Sequence, residues 1–288
     1  MPNLKDIRRR IGSVEKTQQI TSAMRMVAAA KLRRAQDAIL AARPYAEQMK
    51  TTLGEVARVQ KDAEHPLLKQ REAVRRAEFL VVSSDRGLCG AFNANALKAS
   101  QARINADEPQ LEDVALTLVG SKSVDFFRRR RPQQISRSFT GIGRVEYRQA
   151  AEIAAYVMER YLAEEVDRVV LVHNEFVSAL TQRPRVVQLL PLAAQDEEEA
   201  EEVGPPFVIE PDPDALLAVL LPKAVEVEIF RALLDSQAGE HAARMAAMES
   251  ATRNTEELIE SLTLRYNRAR QAAITRELVE IVSGAEAL

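Results

Sequence analysis

The chain has 288 residues, 46% of them hydrophobic and 28% charged, which allows one large domain or two small ones with buried cores. A single cysteine, Cys89, excludes an internal disulfide, and no apolar run approaches the roughly 20 residues that span a bilayer. The N-terminus is charged from Lys5 on, so we expect no secretory signal peptide. Residues 1–50 hold 11 Lys or Arg against four Asp or Glu. This excess predicts an acidic partner for the N-terminal part, either a protein or a nucleic acid.

Residues 4–58 predict one long N-terminal helix. Asn3 can cap it, and Asp6 stands at the third helical position, as in a capping box. Seam residues recur at spacings of three and four, the period of a coiled coil. They are Leu4, Ile7, Ile11, Val14, Gln18, Thr21, Met24, Ala28, Leu32, Ala35, Ile39, Ala42, Ala46 and Met49. Because many of them are small or polar, we expect a second helix to approach closely, and we expect Pro44 to kink the helix.

Between residues 78 and 192 the chain alternates patterns of buried strands with patterns of helices. The predicted strands are 78–83, 114–120, 134–141, 168–176 and 184–190, and the predicted helices are 93–104, 122–130 and 148–165. We expect the strand at 134–141 to lie at an edge of the sheet. Alternation of this kind is typical of a three-layer α/β domain with a partly parallel sheet.

An acidic segment, residues 193–211, separates this domain from the C-terminal part of the chain. It holds six acidic residues between Gln195 and Glu202, followed by Gly204 and two prolines. This composition predicts a solvated loop.

The C-terminal part, residues 212–288, is predicted to be helical. Asp212 can cap a short helix that Pro222 ends, and a second helix of about 60 residues, ~90 Å long, starts there. Gly239 costs this helix roughly 1 kcal/mol relative to alanine, which a long helix tolerates. The seam spacing returns at His241, Met245, Met248, Thr252, Thr255, Ile259, Leu262, Tyr266, Ala269 and Ala273. Because a helix this long needs a partner, we predict an antiparallel coiled coil of the N- and C-terminal helices with the α/β domain inserted between them.

The segment Ser83–Gly90 follows a predicted strand and precedes a helix, where helix amides and Arg86 could bind a phosphate. Its spacing matches neither a dinucleotide fingerprint nor a phosphate loop ending in Gly-Lys-Ser/Thr. The favoured interpretation is a tight strand-to-helix turn whose polar edge meets a partner. A nucleotide-binding enzyme of the Rossmann type is the alternative.

Groups suited to catalysis or metal binding are sparse. Cys89 would need a base to act as a nucleophile, but His65, His173 and His241 fall in three separate predicted elements. The three histidines do not form a metal-ligand cluster either. These residues therefore predict neither catalysis by cysteine nor a metal site, and we expect no cofactor.

Two groups of basic residues suggest partner contacts. The run Arg128–Arg131 is interpreted as a solvated helix end favoured by the helix dipole, with an acidic protein or a phosphate backbone as alternative partners. The cations of the first helix lie mostly off the seam and favour an acidic partner. They are Arg8, Arg9, Arg10, Arg25, Lys31, Arg33 and Arg34. A coiled-coil nucleic-acid binder, with strongly salt-dependent DNA binding, is a further alternative.

Three long stretches of the sequence resemble one known family. They are IRRRIGSVEKTQQITSAMRMVAAAKLRRAQ from Ile7, SSDRGLCGAFN from Ser83, and the stretch from Glu240 to the end, which includes ITRELVEIVSGA. Together they resemble the gamma subunits of bacterial F-type ATP synthases over nearly the whole chain and in the same order. The resemblance implies that the inserted domain is Rossmann-like. It also implies a non-catalytic rotor shaft that couples rotation of a membrane c-ring to the catalytic beta subunits.

The resemblance also implies the partners and the location. The partners would be the alpha and beta subunits of the catalytic head, the epsilon subunit and the c-ring, with no nucleic acid. The chain would lie at the cytoplasmic face of the bacterial inner membrane, associate with it only through other subunits, and regulate ATPase activity and proton flow. No insert with paired cysteines lies between Val187 and Glu210, so thiol control of the chloroplast type is not expected.

Individual residues match positions at which the family contacts its partners. Met24 and Arg25 match the stretch that faces the acidic lever loops of beta. Glu210 matches a position near the foot of the shaft. The matching polar positions on the closing helix, which hydrogen-bond beta loops in the family, are Arg244, Arg270, Gln271, Thr275 and Glu277.

Overall fold

The computed structural model describes residues 4–59, 65–192 and 213–286. The capping residues Asn3 and Asp212, the contact residue Glu210 and the acidic segment 193–211 lie outside the described residues. The described helices and strands are α1 (Leu4–Val59), β1 (Arg76–Val82), α2 (Phe92–Asp107), β2 (Asp113–Val119), α3 (Ser121–Arg128), β3 (Ile135–Phe139), α4 (Tyr147–Leu162), β4 (Arg168–Phe176), β5 (Gln182–Leu190) and α5 (Pro213–Glu286).

The sheet has the strand order β3-β2-β1-β4-β5. β1 pairs in parallel with β2 and β4, β2 pairs in parallel with β3, and β5 runs antiparallel to β4. The predicted partly parallel sheet is therefore confirmed, with β3 at one edge. β1 and β4 are nearly continuous apolar sequences, as expected of strands that are covered on both faces.

Alternate residues of the central strand β1 point into two separate cores, one on each face of the sheet. Phe79 and Val81 pack with α2 and α3, whereas Leu80 and Val82 pack with α4 and α5. The α5 residues of this second core are Leu217, Leu221, Val225, Ile229, Ala232 and Leu233. Helices thus cover both faces of the sheet, and the three-layer arrangement is confirmed.

The prediction that Pro222 ends one helix and begins another is wrong. α5 runs as one helix from Pro213 to Glu286 with Pro222 inside it. Proline removes one backbone hydrogen bond, but Leu221 and Val225 on either side of it are buried in the same core. Packing of this apolar face keeps the helix continuous where the local rule predicted a break. α1 likewise continues through Pro44, and the kink expected there stays a prediction.

The chain divides into two compact units. One contains α1 up to Ala29 and α5 from Arg244 on, and the other contains residues 30–243. In the first unit the hydroxyl oxygens of Thr21 and Thr252 lie 2.9 Å apart, which joins the two helices across their seam.

The burial of the helix pair follows the predicted seam. Ala28, Met248 and Leu262 are buried, and Val14 and Ile259 are half-buried. Residues between the seam positions, such as 15–17 on α1 and 256–258 on α5, are exposed. The spacing of threes and fours therefore identified the faces along which these helices pack.

Candidate functional site

Asp85 joins the carboxyl ends of three parallel strands. Its Oδ1 atom accepts hydrogen bonds from the backbone N (2.9 Å) and the hydroxyl (2.8 Å) of Ser121, just after β2. Burial disfavours the charged form of Asp85, but hydrogen bonds from the backbone of Gly141 and Ile142, beyond β3, and from Ser121 outweigh it and lower the pKa of this carboxyl. Asp85, a polar residue of the Ser83–Gly90 segment, therefore links the carboxyl ends of β1, β2 and β3 through hydrogen bonds within the chain.

The first amides of α3 are also engaged by neighbouring groups of the chain. The N–H of Lys122 donates to the carbonyl of Ser84 at 3.1 Å, and the N–H of Ser123 donates to the hydroxyl of Ser83 at 2.8 Å. Gly120, just before the helix, has φ +89°, and a Cβ there would lie 2.3 Å from the Ser83 carbonyl oxygen. These bonds occupy the first amides of α3, whereas the helix that follows the motif is α2. There the N–H of Phe92 donates to the carbonyl of Cys89 at 3.2 Å, as in a tight turn.

The crevice between β1 and β4, where connections leave the sheet in opposite directions, is the usual ligand site of such folds. Here α5 lies close to it. A Cβ at Gly239 would lie 2.9 Å from a ring carbon of Phe92 and 3.2 Å from Cγ of Gln182. Asn174 on β4 donates to the carbonyl of Phe92 at 3.0 Å. Glycine at position 239 is therefore required by close packing, which the sequence alone did not indicate.

Cys89 and the three histidines lie in four different parts of the fold along the chain. Cys89 is buried after β1, and its Sγ atom lies 3.2 Å from Nδ2 of Asn93. His65 precedes β1, His173 lies on β4, and His241 lies on α5. Within the described residues, no group of three or more His, Cys, Asp or Glu side chains is placed to hold a metal ion.

Two buried ionisable groups, His173 on β4 and Asp235 on α5, share a cluster of charges. Burial lowers the pKa of His173 to about 4. Burial also raises the pKa of Asp235 from 3.8 to about 6; the nearby Glu175 and Glu228 add to this, and Arg231 and Arg185 oppose it. Arg185 on β5 forms an ion pair with Glu175 at 2.8 Å. Sequence reasoning missed Asp235, because nothing in its neighbourhood along the chain reveals its burial.

The run Arg128–Arg131 is divided by its contacts. Arg131 pairs with Glu108 through two hydrogen bonds of 2.7 and 2.9 Å, and the Arg130 guanidinium lies 3.9 Å from the ring centroid of Phe126. Arg128 and Arg129 are exposed at the end of α3. This arrangement agrees with a solvated helix end, the favoured interpretation, and gives Arg131 a structural role.

The family-matched contact residues lie on the two terminal helices. Met24 and Arg25 on α1, and Arg244 on α5, are half-buried. The polar residues of the closing helix are all exposed: Arg270, Gln271, Thr275 and Glu277. All seven residues belong to the same compact unit. The three half-buried residues expose less surface to a partner than the four polar residues of the closing helix.

The register of the helix pair explains this difference. Thr21 faces Thr252, and in antiparallel helices each heptad back along α1 matches a heptad forward along α5, so Ile7 falls opposite Tyr266. Ile7 and Tyr266 are both half-buried, as this register requires. From about Arg270 on, α5 therefore has no described α1 residue beside it.

The end of α5 carries an exposed apolar surface that sequence reasoning missed. Residues 274–283 are all exposed, and five of them are large and apolar. They are Ile274, Leu278, Val279, Ile281 and Val282, with exposed fractions between 49% and 68%. Comparing the predicted lengths of the N-terminal and C-terminal helices would have indicated that the C-terminal helix extends beyond its partner. An exposed apolar surface of this kind is typical of an interaction site.

These features define a protein that offers its partners the surfaces of two long terminal helices, built around an α/β domain whose usual ligand crevice is covered. None of the described helices combines the length and apolarity needed to cross a membrane. A sequence model of the family described as ATP synthase matches residues 3–288.

Curated relatives match along their whole length. The chain is 53% identical to the ATP synthase gamma chain of Anaeromyxobacter sp. (strain Fw109-5) and 50% identical to that of Desulforamulus reducens, covering 100% of both chains in each case. The chain therefore belongs to the ATP synthase gamma-chain family.

Solved structures share the fold. The central stalk and c-ring structure of Tetrahymena thermophila mitochondrial ATP synthase matches with a TM-score of 0.62 and 25% identity, covering 81% of this chain and 99% of that one. A chain of the Euglena gracilis mitochondrial ATP synthase in rotational state 3 matches with a TM-score of 0.66 and 20% identity, covering 99% and 94%. The second match concerns the fold alone. The two long helices and the inserted Rossmann-like domain are thus a shared architecture.

Gly239→Val should destabilise the chain, because the new side chain meets the buried ring of Phe92. Overpacking of this kind costs about 2 kcal/mol. Ala246→Val, at an exposed position of the same helix, is the matched control and should lose only the small helix-propensity difference. Urea unfolding followed by circular dichroism compares the two variants. Equal stability in both would mean that α5 does not press on Phe92.

Asp235→Asn should change how stability depends on pH. A carboxyl whose folded pKa is about 6 and whose ordinary pKa is 3.8 favours the folded state when protonated, and this contribution is lost as pH rises between these values. The loss amounts to about 3 kcal/mol. The variant should therefore gain stability relative to wild type as pH rises from 4 to 7, in unfolding midpoints measured across that window. Asp37→Asn, an exposed carboxyl on α1, is the control and should give no such trend.

Proposed function

We propose that the chain is the central rotor shaft of a proton-translocating ATP synthase. It couples rotation of a membrane c-ring to conformational change at the catalytic beta subunits, without catalysing a reaction itself, and so regulates ATPase activity and proton flow. The observation that carries this proposal is the helix pair, in which α5 continues past the start of α1 and exposes large apolar side chains. Membership in the gamma-chain family supports the same function.

A rotor acts by binding the states of its partner unequally. A shaft with a uniform surface would shift no equilibrium however tightly it bound. The helix pair is uneven in the required sense: the first 50 residues carry 11 basic against four acidic residues, while the end of α5 is apolar with single polar residues. Turning such a surface presents each beta subunit with a different contact in turn.

Contacts with the head involve the two helices. Arg25 and Arg244 would meet acidic loops of beta beside Met24, and the exposed polar residues of the closing helix would bond further loops. Gln271 and Thr275 are four residues apart and share one helix face, flanked by Arg270 and Glu277. The apolar residues around them would be covered by the head.

The foot of the shaft would be formed by the inserted domain. We place the coiled-coil helices at residues 1–58 and 212–288, the domain at 78–192 and an acidic loop at 193–211. Glu210 would lie near the foot, where the epsilon subunit and the c-ring bind. The chain would thereby be held peripherally at the cytoplasmic face of the bacterial inner membrane, through its partner subunits only and without nucleic acid.

Reconstitution tests the function directly. The isolated chain should hydrolyse no ATP and bind negligible nucleotide, and mixing it with alpha and beta subunits should restore ATPase activity. It should also co-purify with those subunits at high salt, which a nucleic-acid binder that relies on its basic first helix would not do. Substantial turnover by the chain alone, or loss of the complex in salt together with tight DNA binding, would refute the rotor function.

Gln271→Leu and Thr275→Val should slow the assembled complex without weakening it. Both side chains are exposed, so their loss should change chain stability by under about 0.5 kcal/mol. A hydrogen bond to a charged group is worth roughly 1.5–3 kcal/mol, so losing one should lower turnover about tenfold if making or breaking it limits rotation. Steady-state hydrolysis and synthesis, with melting curves alongside, measure this.

Thr263→Val serves as the matched control, since Thr263 is exposed on α5 and its hydroxyl bonds to the carbonyl of Ile259 in its own helix. It should leave turnover unchanged. Normal turnover in the Gln271 and Thr275 variants, with normal assembly, would show that these residues make no contact that limits rotation.

A further inference from the structure

The segment from Gly143 to Tyr147, which leads into α4, lies along α5. The Tyr147 hydroxyl donates a hydrogen bond of 2.6 Å to Oε2 of Glu226, and the same oxygen accepts one of 2.7 Å from Nζ of Lys223. Farther along α5, Nε2 of Gln237 donates to the carbonyl of Gly143 at 3.2 Å. The α/β domain is thus tied to α5 by two separate polar contacts, in addition to the apolar core.

The ring of Tyr147 is held on several sides by side chains of α5. The Lys223 ammonium lies 5.6 Å from the ring centroid, and the Phe230 ring meets it edge-on at 5.5 Å and 72°. Lys223, Glu226 and Phe230 follow one stripe of the helix about 10 Å long. Tyr147 is half-buried, and these contacts to its ring oppose both sliding of α5 along its axis and rotation about it.

The position of Tyr147 is fixed from its own side as well. Glu146 and Gln149 form a capping box at the start of α4, in which Oε1 of Gln149 accepts from the N–H of Glu146 at 2.7 Å. Burial and the bond to Glu226 raise the pKa of the Tyr147 phenol, so it stays a donor at neutral pH. The contact is therefore directional, with the phenol as its donor.

Apolar packing between α5 and the sheet is non-directional, so by itself it opposes separation more strongly than small rotations. Hydrogen bonds weaken steeply when their angle changes, and they therefore define an angular register. We propose that Tyr147 is a positioning residue that fixes the angle between the α/β domain and α5, so that torque passes between them without slip. This inference rests on the rotor function proposed above.

The test measures angular stiffness in the assembled complex. With the catalytic head fixed to a surface, a bead is attached to the α/β domain through Arg129→Cys, an exposed position, while the native Cys89 is buried. The variance of the bead angle is recorded with the motor stalled, and rotation is recorded with ATP. Tyr147→Phe keeps the ring and removes the hydroxyl. Tyr156→Phe is the matched control, because its ring meets Phe139 and the Arg137 and Arg160 guanidinium groups.

Tyr147→Phe should raise the angular variance, by at most about twofold, because one of two polar ties acting in parallel is lost while the apolar core remains. Hydrolysis at low load and the melting point of the complex should stay close to wild type, and Tyr156→Phe should leave the variance unchanged. Unchanged variance in Tyr147→Phe, or an equal rise in Tyr156→Phe, would overturn the inference while leaving the rotor function intact. If the wild-type bead does not turn with ATP, the rotor function fails, and the inference with it.

Discussion

The fold depends on one uninterrupted helix that must satisfy two different partners. Residues 217–233 of α5 complete the second core of the sheet, whereas from Arg244 on the same helix pairs with α1. The residue types on the apolar face of α5 therefore change along the helix. It is rich in Leu, Val and Ile where it covers the sheet, and it turns to Ala, Met and Thr where a second helix lies close. The helix stays continuous through Pro222 because residues on both sides of it, such as Leu221 and Val225, are buried in the same core.

The α/β domain keeps the topology of a nucleotide-binding fold but has used its ligand site for its own packing. Asp85 and Ser83 accept hydrogen bonds from the first amides of α3 at the carboxyl ends of the strands. Gly239 brings α5 against Phe92 beside the switch point between β1 and β4. The polar groups at the carboxyl ends of these strands thus form hydrogen bonds with one another. A fold of this kind hosts many functions, so the contacts of its residues, and not its topology, must carry any functional argument.

Sequence reasoning succeeded where a single periodic signal dominated. The seam spacing identified the buried faces of both terminal helices, and the β-branched run of β4 predicted that strand at its observed bounds. It failed at Pro222 because tertiary packing overrides a local helix breaker. Gly239 was judged only by its cost to the helix, since its contacts with Phe92 and Gln182 come from distant parts of the chain. The residues taken from the family resemblance on α1 and α5 stay predictions, and Glu210 lies outside the described residues.

The contacts of α5 differ in strength along its length, as a rotor requires. Beside the domain it is held by a large apolar core and by directional bonds to Tyr147 and Gly143, whose joint rupture would cost far more than one hydrogen bond of roughly 1.5–3 kcal/mol. In the helix pair, a seam of small and polar residues such as Thr21 and Thr252 gives close approach with less apolar burial. Past Arg270 the register places no described α1 residue beside α5, and residues 274–283 are exposed. The same helix thus passes from a well-packed stretch beside the sheet to an exposed end, a gradation that lets one part of a shaft carry torque while another part meets its partners.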